Sequence, residues 1–491
     1  MTHGTSAPGW RAAVVLAALT LPACGGKGPE HAKSDHSGPA KESKSTAKAR
    51  EKVAITVYNQ NFGLVREIRK LDLGEGKVSL EYRDVSAHIQ PETVHIKSLE
   101  GEDALAVLEQ NYRYDLLSPQ KLLEKYVDKK IKVYRYNEKL GREEMKEAKV
   151  LAVEQGTVLE IDGEVTYGFP GRFAFPEVPA NLIAKPSLVW LLGSKRAQQR
   201  VEVSYLSQNL NWVADYVMVV GADDKVGDLN GWVTLTNQSG TDYENAELKL
   251  VAGDVQRVMP PASPAPGYYA QAEASSRPRE QFKEEGFFEY HLYTLQRPTT
   301  LLDKEQKQVT LLEGHDIGID KKLIFWGAEY YYRGNYGQVV SNQKVGVYID
   351  IKNSEKNHLG MPLPKGTVRV YKADKSGAKQ FIGEDRIDHT PRDEEIRIKM
   401  GEAFDVVGDR KQMEWNAIGS CTSESAFEIE LRNHKDTAEK VEIYEPIGGD
   451  WEMVQSSHPH EKKDAHTFTF TVDVPSRGKT KVTYRVRVRW C

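Results

Sequence analysis

Cysteine carries the most reactive side chain in this sequence, and the placing of Cys24 suggests covalent chemistry. Cys24 directly follows the small residue Ala23, which ends an apolar run over residues 12–21 with Arg11 before it. A positive flank, an apolar core and a small residue at the cleavage point are typical of a secretory signal peptide. A core of about ten residues is too short to span a bilayer. The spacing therefore predicts export, with a signal peptide over residues 1–23.

The other two cysteines, Cys421 and Cys491, would meet an oxidising compartment in an exported protein, where a disulfide can persist. They could form a disulfide or remain two free thiols, and the sequence leaves both open. Their spacing matches no metal-site pattern, so no metal is predicted.

The stretch Leu21-Pro22-Ala23-Cys24 resembles the lipobox of bacterial lipoproteins. The resemblance implies that Cys24 is lipidated and becomes the N-terminus of the mature protein, which would then be held at a membrane by several acyl chains. The alternatives are an ordinary signal peptide or a chance apolar N-terminus. Gly25 stands where an Asp retains some lipoproteins at the inner membrane. We therefore expect a lipid-anchored protein of the bacterial cell envelope, at the outer membrane and facing the periplasm.

A dense group of aromatic residues could bind a ligand by stacking. It lies beside Phe325 and consists of Trp326, Tyr330, Tyr331, Tyr332 and Tyr336. Exposed rings of this kind bind sugars or partner proteins. Packing inside a sheet core is the alternative, and it is the commoner fate of such residues.

Three arginines alternate along the last predicted strand: Arg485, Arg487 and Arg489. Alternate strand residues face the same way, so the three would form a basic stripe about 13 Å long. Such a stripe could bind an anionic polysaccharide. It could equally pair with acidic residues on a neighbouring strand or protect a sheet edge, and these two structural interpretations are favoured.

No common catalytic or nucleotide-binding motif is present, and no cofactor is predicted. His458 and His460, with His466, could hold a metal, but Pro459 and the surrounding charges favour a solvated loop. A hydrolase that uses acidic residues such as Asp215 or Asp254 stays an alternative. Clustered carboxylates with raised pKa values would support it.

The composition excludes two classes of protein. Formal net charge is −4 over 491 residues, which does not suggest a nucleic acid partner. Charged residues make up 28% of the chain, and no second long apolar run follows the N-terminal one, which excludes a bundle of membrane-spanning helices. The sequence predicts soluble domains attached through a lipid alone.

The remaining pattern predicts a mostly β protein in consecutive parts. Residues 24–52 lack large apolar side chains and are predicted to be a disordered tether. Residues 53–115 form an N-terminal β region, with a hairpin around Gly74-Glu75-Gly76. Short strands at intervals of about 8–12 residues then predict two immunoglobulin-like β-sandwich regions, 186–345 and 346–491. The first of these contains a flexible loop at 259–285.

One helix is predicted between these parts. Ser118 can cap it, and Pro119 suits its first turn, where a backbone N–H has no partner anyway. Several short strands follow the helix. Residues 116–185 are therefore predicted to be a small SH3-like barrel that carries one helix.

A weak repeat ends three strands with an asparagine, at Asn237, Asn353 and Asn433. Asn can end a strand because its side chain bonds to nearby backbone groups and it tolerates left-handed geometry. The copies are unequally spaced, so the pattern predicts a shared style of hairpin and not a solenoid.

Several blocks together resemble the family called domain of unknown function 4139, related to proteins named mucoidy inhibitor A. The blocks are Tyr58–Arg66, Tyr114–Pro119, Leu188–Leu192, Val201–Leu206, Asn211–Tyr216, Gly231-Trp232 and Leu250–Val255. The resemblance runs from about Val53 to the end of the sequence. It implies a multi-domain β protein of the envelope and supplies no catalytic residues. The long coiled coil of the larger mucoidy-inhibitor-like members is missing.

These observations together predict a non-enzymatic, lipid-anchored envelope protein that binds or organises another envelope component. The partner would be an envelope protein or a polysaccharide. A glycan-binding module that uses the aromatic group and the arginine stripe is the main alternative, followed by the hydrolase.

Overall fold

Strands dominate the structure, a computed structural model that describes residues 39–138, 140–179, 182–183, 185–257 and 282–491. The prediction of a mostly β protein is confirmed. The predicted signal peptide, Cys24 and the tether up to residue 38 lie outside the described residues. No helix in the described ranges is long and apolar enough to cross a bilayer.

The N-terminal strands follow alternating runs of apolar and polar residues. They are β1 Lys41–Ser45, β2 Arg50–Tyr58, β3 Phe62–Asp72, β4 Gly76–Arg83, β5 His95–Ser98 and β6 Leu105–Arg113. Strand β1 pairs in parallel with β4, with Lys41 opposite Val78. The tether prediction is therefore wrong for residues 41–45 and 50–52, because backbone pairing orders a segment that has few apolar side chains.

The predicted helix is confirmed as α1, Pro119–Lys125, and Ser118 caps it by accepting a hydrogen bond from the Lys121 N–H at 3.1 Å. The strands that follow are β7 Lys130–Asn137, β8 Arg142–Ala152, β9 Val158–Ile161, β10 Glu164–Tyr167 and β11 Arg172–Ala174. They form one sheet in the order β10-β9-β8-β7-β11, so β10 and β11 lie at opposite edges. The SH3-like barrel prediction is wrong about closure, because these two short edge strands do not pair.

The next strands form most of the first predicted sandwich region. They are β12 Ser187–Ser194, β13 Gln198–Gln208, β14 Leu210–Val220, β15 Val226–Asn237, β16 Tyr243–Ala252, β17 Phe282–Phe287, β18 Tyr290–Leu295, β19 Thr299–Leu301 and β20 Glu305–Trp326. Residues 259–281 of the predicted loop lie outside the described residues. The loop prediction is wrong for residues 282–285, which belong to β17.

The C-terminal strands complete the chain. They are β21 Gln338–Lys352, β22 Gly366–Ala373, β23 Lys379–Ile387, β24 Glu395–Ala417, β25 Thr422–Asn433, β26 Glu439–Pro446, β27 Asp450–Ser456, β28 His460–Asp464, β29 Thr467–Val474 and β30 Gly478–Arg489. Short 3-10 turns occur at Ala47–Ala49, Pro91–Thr93, Glu102–Ala104, Glu329–Tyr332 and Glu355–Asn357.

Besides the sheet near α1, the described strands form three sheets. One has four strands in the order β1-β4-β12-β6. A second has eight strands along the path β17-β18-β16-β2-β3-β13-β5, with β19 beside β16. The largest has thirteen strands along the path β23-β22-β14-β15-β20-β21-β24-β25-β30-β27, and β26, β28 and β29 extend it from β20.

Strand pairing crosses the boundaries predicted at residues 185/186 and 345/346. Strand β2 pairs in parallel with β16, where Tyr58 is opposite Val251. Strand β14 pairs in parallel with β22, where Tyr216 is opposite Val368. The consecutive domains of the prediction therefore share sheets, because parallel neighbours must come from distant parts of a chain.

The turn at Gly74-Glu75-Gly76 does not close the predicted hairpin. Strand β3 pairs with β2 and β13, whereas β4 pairs with β1 and β12. The chain leaves one sheet and enters another at this turn. The same buried cluster receives Val65 and Leu71 from β3 and Val78 and Leu80 from β4.

The buried apolar side chains of the described residues form three clusters. The largest joins residues from β2 through β24 and contains Trp190, Trp212 and Tyr216, each at most 1% exposed. A second lies in the C-terminal strands around Phe427, Phe470 and Tyr484. The third is the small core beneath α1, which includes Leu123. The second cluster supports the surface described next.

Candidate functional site

The aromatic group predicted from the sequence divides into buried and exposed members. Tyr331 and Tyr332 are buried, whereas Tyr330 is 54% exposed and Tyr336 is 46% exposed. Trp326 lies apart at the end of β20, where its indole N–H donates to the hydroxyl of Tyr348 at 3.0 Å. The 3-10 turn Glu329–Tyr332 produces this division, because its successive side chains point in different directions.

The two exposed rings form a right-angled corner. The ring centroids of Tyr330 and Tyr336 lie 5.7 Å apart with an interplanar angle of 83°. Gln412 fixes the loop between them, since its side-chain amide donates to the carbonyls of Tyr331 at 3.1 Å and Gly334 at 2.8 Å. Its side-chain oxygen accepts the backbone N–H of Tyr336 at 2.6 Å. The rings are therefore exposed on a backbone that is already held in place.

A buried ion pair lies beneath this loop. Arg410 and Glu445 are hydrogen-bonded and their side chains are fully buried. The hydroxyl of Tyr332 donates to Glu445 at 2.9 Å and lies 3.0 Å from the hydroxyl of Tyr484. Burial, with the Glu445 charge adding to it, raises the pKa of Tyr332 well above its usual value. Tyr332 therefore stays protonated and ties the turn to this pair.

Gly327 is needed for this arrangement. A Cβ at this position would lie 2.4 Å from Oε2 of Glu445, closer than such atoms can approach. A side chain there would displace the carboxylate from Arg410.

Arg333 connects the corner to the end of β30. Its guanidinium lies 5.1 Å from the ring centroid of Trp490 and also pairs with Glu329. The backbone N–H of Trp490 donates to the carbonyl of Cys421 at 2.8 Å. We call the surface made by Tyr330, Arg333, Tyr336 and Trp490 the aromatic corner.

A disulfide joins the two cysteines beside the aromatic corner. Cys421 and Cys491 are bonded, and their Cα atoms lie 5.9 Å apart. Of the two arrangements that the sequence left open, the structure has the bonded one. The bond fastens the residue that follows Trp490 to the start of β25.

Each arginine of the predicted stripe has an acidic partner. Arg485 bonds to Glu414 at 2.6 Å and to Glu424 at 3.1 Å. Arg487 also bonds to Glu424, at 3.1 Å, and Arg489 bonds to Asp450 at 3.3 Å. Glu424 and Asp450 lie on β25 and β27, the two strands that pair with β30, and Glu414 lies on β24, one strand further away. The charge of the stripe is therefore balanced within the sheet.

A family model described as a domain of unknown function, DUF4139, matches residues 201–491, which is more than half of the sequence. The chain belongs to the DUF4139 family. No curated protein matches it. The matched range holds the aromatic corner, the arginine stripe and the disulfide of this DUF4139 protein.

The two acidic residues considered for hydrolysis are both engaged by cations. Asp215 accepts hydrogen bonds from Arg369 and Thr234, each at 3.0 Å. The hydrogen bond from Lys365, with the charge of that ammonium, lowers the pKa of Asp254. The raised carboxylate pKa that would support a hydrolase is not found at Asp254.

The histidines considered for a metal do not gather into a recognisable site. Across the described ranges, no group of three His, Cys, Asp or Glu side chains is arranged to hold a metal ion. His458 instead contacts the hydroxyl of Ser457 at 2.9 Å, and the ring of His460 lies beside Phe470.

Sequence reasoning missed a polar cluster where two parallel strands of the DUF4139 protein end. Strands β2 and β16 run in the same direction, so their C-terminal ends lie side by side. Asn59 follows β2 and Asp254 follows β16 at this end of the sheet. His389 reaches this place because Leu363 and Thr390 form an isolated bridge, which brings Lys365 alongside the histidine. Three distant segments meet here, and no local sequence signal shows that they would.

Hydrogen bonding fixes the tautomer of His389. Its Nδ1 accepts the backbone N–H of Lys365 at 3.2 Å, so a neutral ring carries its proton on Nε2. Nε2 lies 3.3 Å from the side-chain amide of Asn59. Two acceptor nitrogens cannot coexist on a neutral imidazole, so the amide must present its oxygen to Nε2. This orientation also satisfies the Asn59 carbonyl, which otherwise lacks a partner.

Two grooves lie away from the aromatic corner. One of about 940 Å³ lies between α1 and the β8–β9 turn, with Gln120, Glu154 and Tyr167 among its lining residues. Another of about 340 Å³ includes Asp224, which pairs with both Lys321 and Lys372. Neither groove contains a residue that the sequence singled out.

Proposed function

We propose that this DUF4139 protein is a non-enzymatic, lipid-anchored protein of the bacterial cell envelope that binds an envelope partner protein through the aromatic corner. The proposal includes lipidation at Cys24, the outer-membrane location facing the periplasm and the relation to mucoidy inhibitor A proteins. Cys24 lies outside the described residues, so its part in the proposal rests on the sequence alone.

The observation that carries the proposal is the rigid exposure of the two rings. Tyr330 and Tyr336 remain about half exposed although their neighbours Tyr331 and Tyr332 enter the core. Gln412 and the buried Arg410–Glu445 pair hold the loop in this form. Binding to preformed rings loses less conformational entropy than binding to a flexible loop.

The composition of the corner also supports a protein partner. Tyrosine, tryptophan and arginine are the residues that contribute most often to the binding energy of protein interfaces. Arg333 lies against Trp490 and keeps its charge at the rim by pairing with Glu329. The arginine stripe offers less to an anionic polysaccharide, because its three side chains are already paired with carboxylates.

Crosslinking in cells tests the proposal. The full-length protein is crosslinked, captured and analysed by mass spectrometry, in its natural form and as Tyr330→Ala/Tyr336→Ala. Tyr167→Ala is the matched control, since that ring is 84% exposed but lies outside the corner. We expect a stoichiometric protein partner that is lost in the double variant and kept in the control.

A Cys24→Ala form tests the anchor separately. Loss of membrane attachment, with the corner unchanged, is the expected result. Capture of a polysaccharide in place of a protein would replace the proposal with glycan binding. A partner that is captured equally by the natural protein and the double variant would overturn the role of the corner.

A further inference from the structure

Strand β6, Leu105–Arg113, has a free edge. It ends the four-stranded sheet and pairs with β12 on one side. Residues 106–111 are all exposed, including Val107 at 46% and Leu108 at 48%. A strand that is uncovered on both faces and has one free edge offers unpaired backbone groups to another strand.

The strand is nevertheless held firmly in its extended form. The side-chain oxygen of Gln110 accepts the indole N–H of Trp190 at 2.7 Å, and its amide donates to the carbonyl of Pro91 at 2.9 Å. The hydroxyl of Tyr112 donates to the carbonyl of Ala87 at 3.3 Å. An incoming strand would therefore meet an edge that is already ordered.

The face of β6 opposite to Gln110 and Tyr112 carries two charged residues. Glu109 and Arg113 lie on that face with Asn111 between them, since alternate residues share a face. Neither Glu109 nor Arg113 has an ion-pair partner among the described residues. Strand β30 differs in this respect, because each arginine of its stripe is paired across the sheet.

We propose that the free edge of β6 pairs with β6 of a second copy of this chain. The two strands run antiparallel about a two-fold axis at Asn111. In this register, Glu109 of each copy faces Arg113 of the other. Opposite charges directly across a strand pair stabilise it, and like charges destabilise it.

The register follows from the spacing of the two charges. An axis at Glu109 would place that carboxylate opposite its own copy. An axis at Gln110 would place Arg113 opposite Val107. Only the axis at Asn111 places each Glu109 opposite an Arg113 of the other copy. The two-fold symmetry then forms this ion pair twice, as in a self-complementary interface. This proposal is independent of the aromatic corner, which lies in other strands.

Cysteine crosslinking tests the register. Asn111→Cys is placed in the full-length chain with Cys24→Ala, so that the added thiol is free while Cys421 and Cys491 are bonded to each other. Directly opposite residues have Cβ atoms about 5 Å apart, close enough for a disulfide. Under mild oxidation we expect a covalent dimer on a non-reducing gel.

Val107→Cys is the matched control. It is an exposed position of the same strand, but in this register the two copies of residue 107 lie about 27 Å apart. We expect no dimer from it. If Asn111→Cys stays monomeric, or if both variants crosslink equally, the proposed register is overturned.

Charge reversal tests the pairing itself. Glu109→Arg in the Asn111→Cys chain should lower the crosslink yield about five-fold, because two ion pairs become two like-charge pairs. Adding Arg113→Glu should restore the yield, since the pairs then re-form with exchanged signs. An unchanged crosslink yield after Glu109→Arg, or a yield that Arg113→Glu does not restore, would contradict the proposal.

Discussion

At the scale of single residues, a buried ion pair holds one aromatic side chain of the 3-10 turn in the core. Arg410 and Glu445 are fully buried, and Tyr332 is bonded to that carboxylate. Tyr330, two residues earlier, points outward and is 54% exposed. Sequence reasoning treated the aromatic residues as one group, because nothing local to them reveals the distant Arg410 and Glu445.

His389 should make the free energy of unfolding depend on pH. Burial, assisted by the charge of Lys365, lowers the pKa of His389 below its ordinary value of 6.5, although Asp254 and Asp388 oppose this and His291 adds to it. The unfolded chain therefore binds the proton more readily than the folded one. Stability due to this residue should be fully present above about pH 6.5 and should fall as pH drops toward the lower, folded pKa.

Denaturant unfolding between pH 7.5 and 5 measures the effect. His389→Asn keeps an acceptor for the Lys365 N–H but cannot titrate, so it serves as the control. The natural protein should lose more stability than this variant over the range. Identical pH profiles for the two proteins would show that His389 does not contribute.

At the scale of strands, the three repeated asparagines share a position, and two of them share a pattern of hydrogen bonds. Asn237, Asn353 and Asn433 are buried at or just beyond the ends of β15, β21 and β25. Asn237 and Asn433 bond alike: each accepts the N–H two residues later and donates to the carbonyl four residues later. Each also donates to the last residue of a further strand, Leu301 or Val474.

This role differs from the predicted shared hairpin. In each copy, the strand before the asparagine and the strand after it pair with other strands and not with each other. The asparagine side chain bonds to backbone groups at the end of the strand, whereas a hairpin would be held by hydrogen bonds between its two backbones. The sequence repeat was visible, but the pairing partners of its strands were not.

Asn433→Ala should destabilise the protein by about 2 kcal/mol, because the backbone groups of Lys435, Thr437 and Val474 each lose a hydrogen bond to its side chain, and the bond to Val474 is buried. Equilibrium denaturation gives the value. Asn416→Ala is the control, since that residue is exposed near the end of β24 and its loss should change stability by less than about 0.5 kcal/mol. Equal effects from the two variants would contradict this role of Asn433.

At the scale of the whole molecule, the disulfide closes a long loop. Cys421 and Cys491 are 70 residues apart in sequence. Breaking a bond over this separation should cost about 4 kcal/mol, because the unfolded chain then gains conformational freedom. Cys421→Ser/Cys491→Ser should therefore unfold at lower denaturant concentration than the oxidised natural protein.

A reductant provides the matched comparison. It should lower the stability of the natural protein toward that of the double variant and leave the variant unchanged. A natural protein that is equally stable with and without reductant would show that the bond contributes nothing to folding.

The sequence by itself determined the β content, the capped helix, the alternating faces of β30 and the membership of the family. Each of these depends on neighbouring residues or on short motifs, so a local pattern carries the information. Cross-strand pairing of the arginine stripe was one of the two interpretations favoured from the sequence, because residues on one face of a strand lie opposite residues of the adjacent strands.

Only the tertiary structure decided which strands share a sheet, which tyrosines reach the solvent and that His389 meets Asn59. Strands β2 and β16 are about 190 residues apart in the chain yet lie side by side in parallel. Turn residues such as Gly74–Gly76 specify a change of direction without specifying the next partner. Which strands pair depends on how distant segments bury their apolar faces together, and no local sequence pattern contains that information.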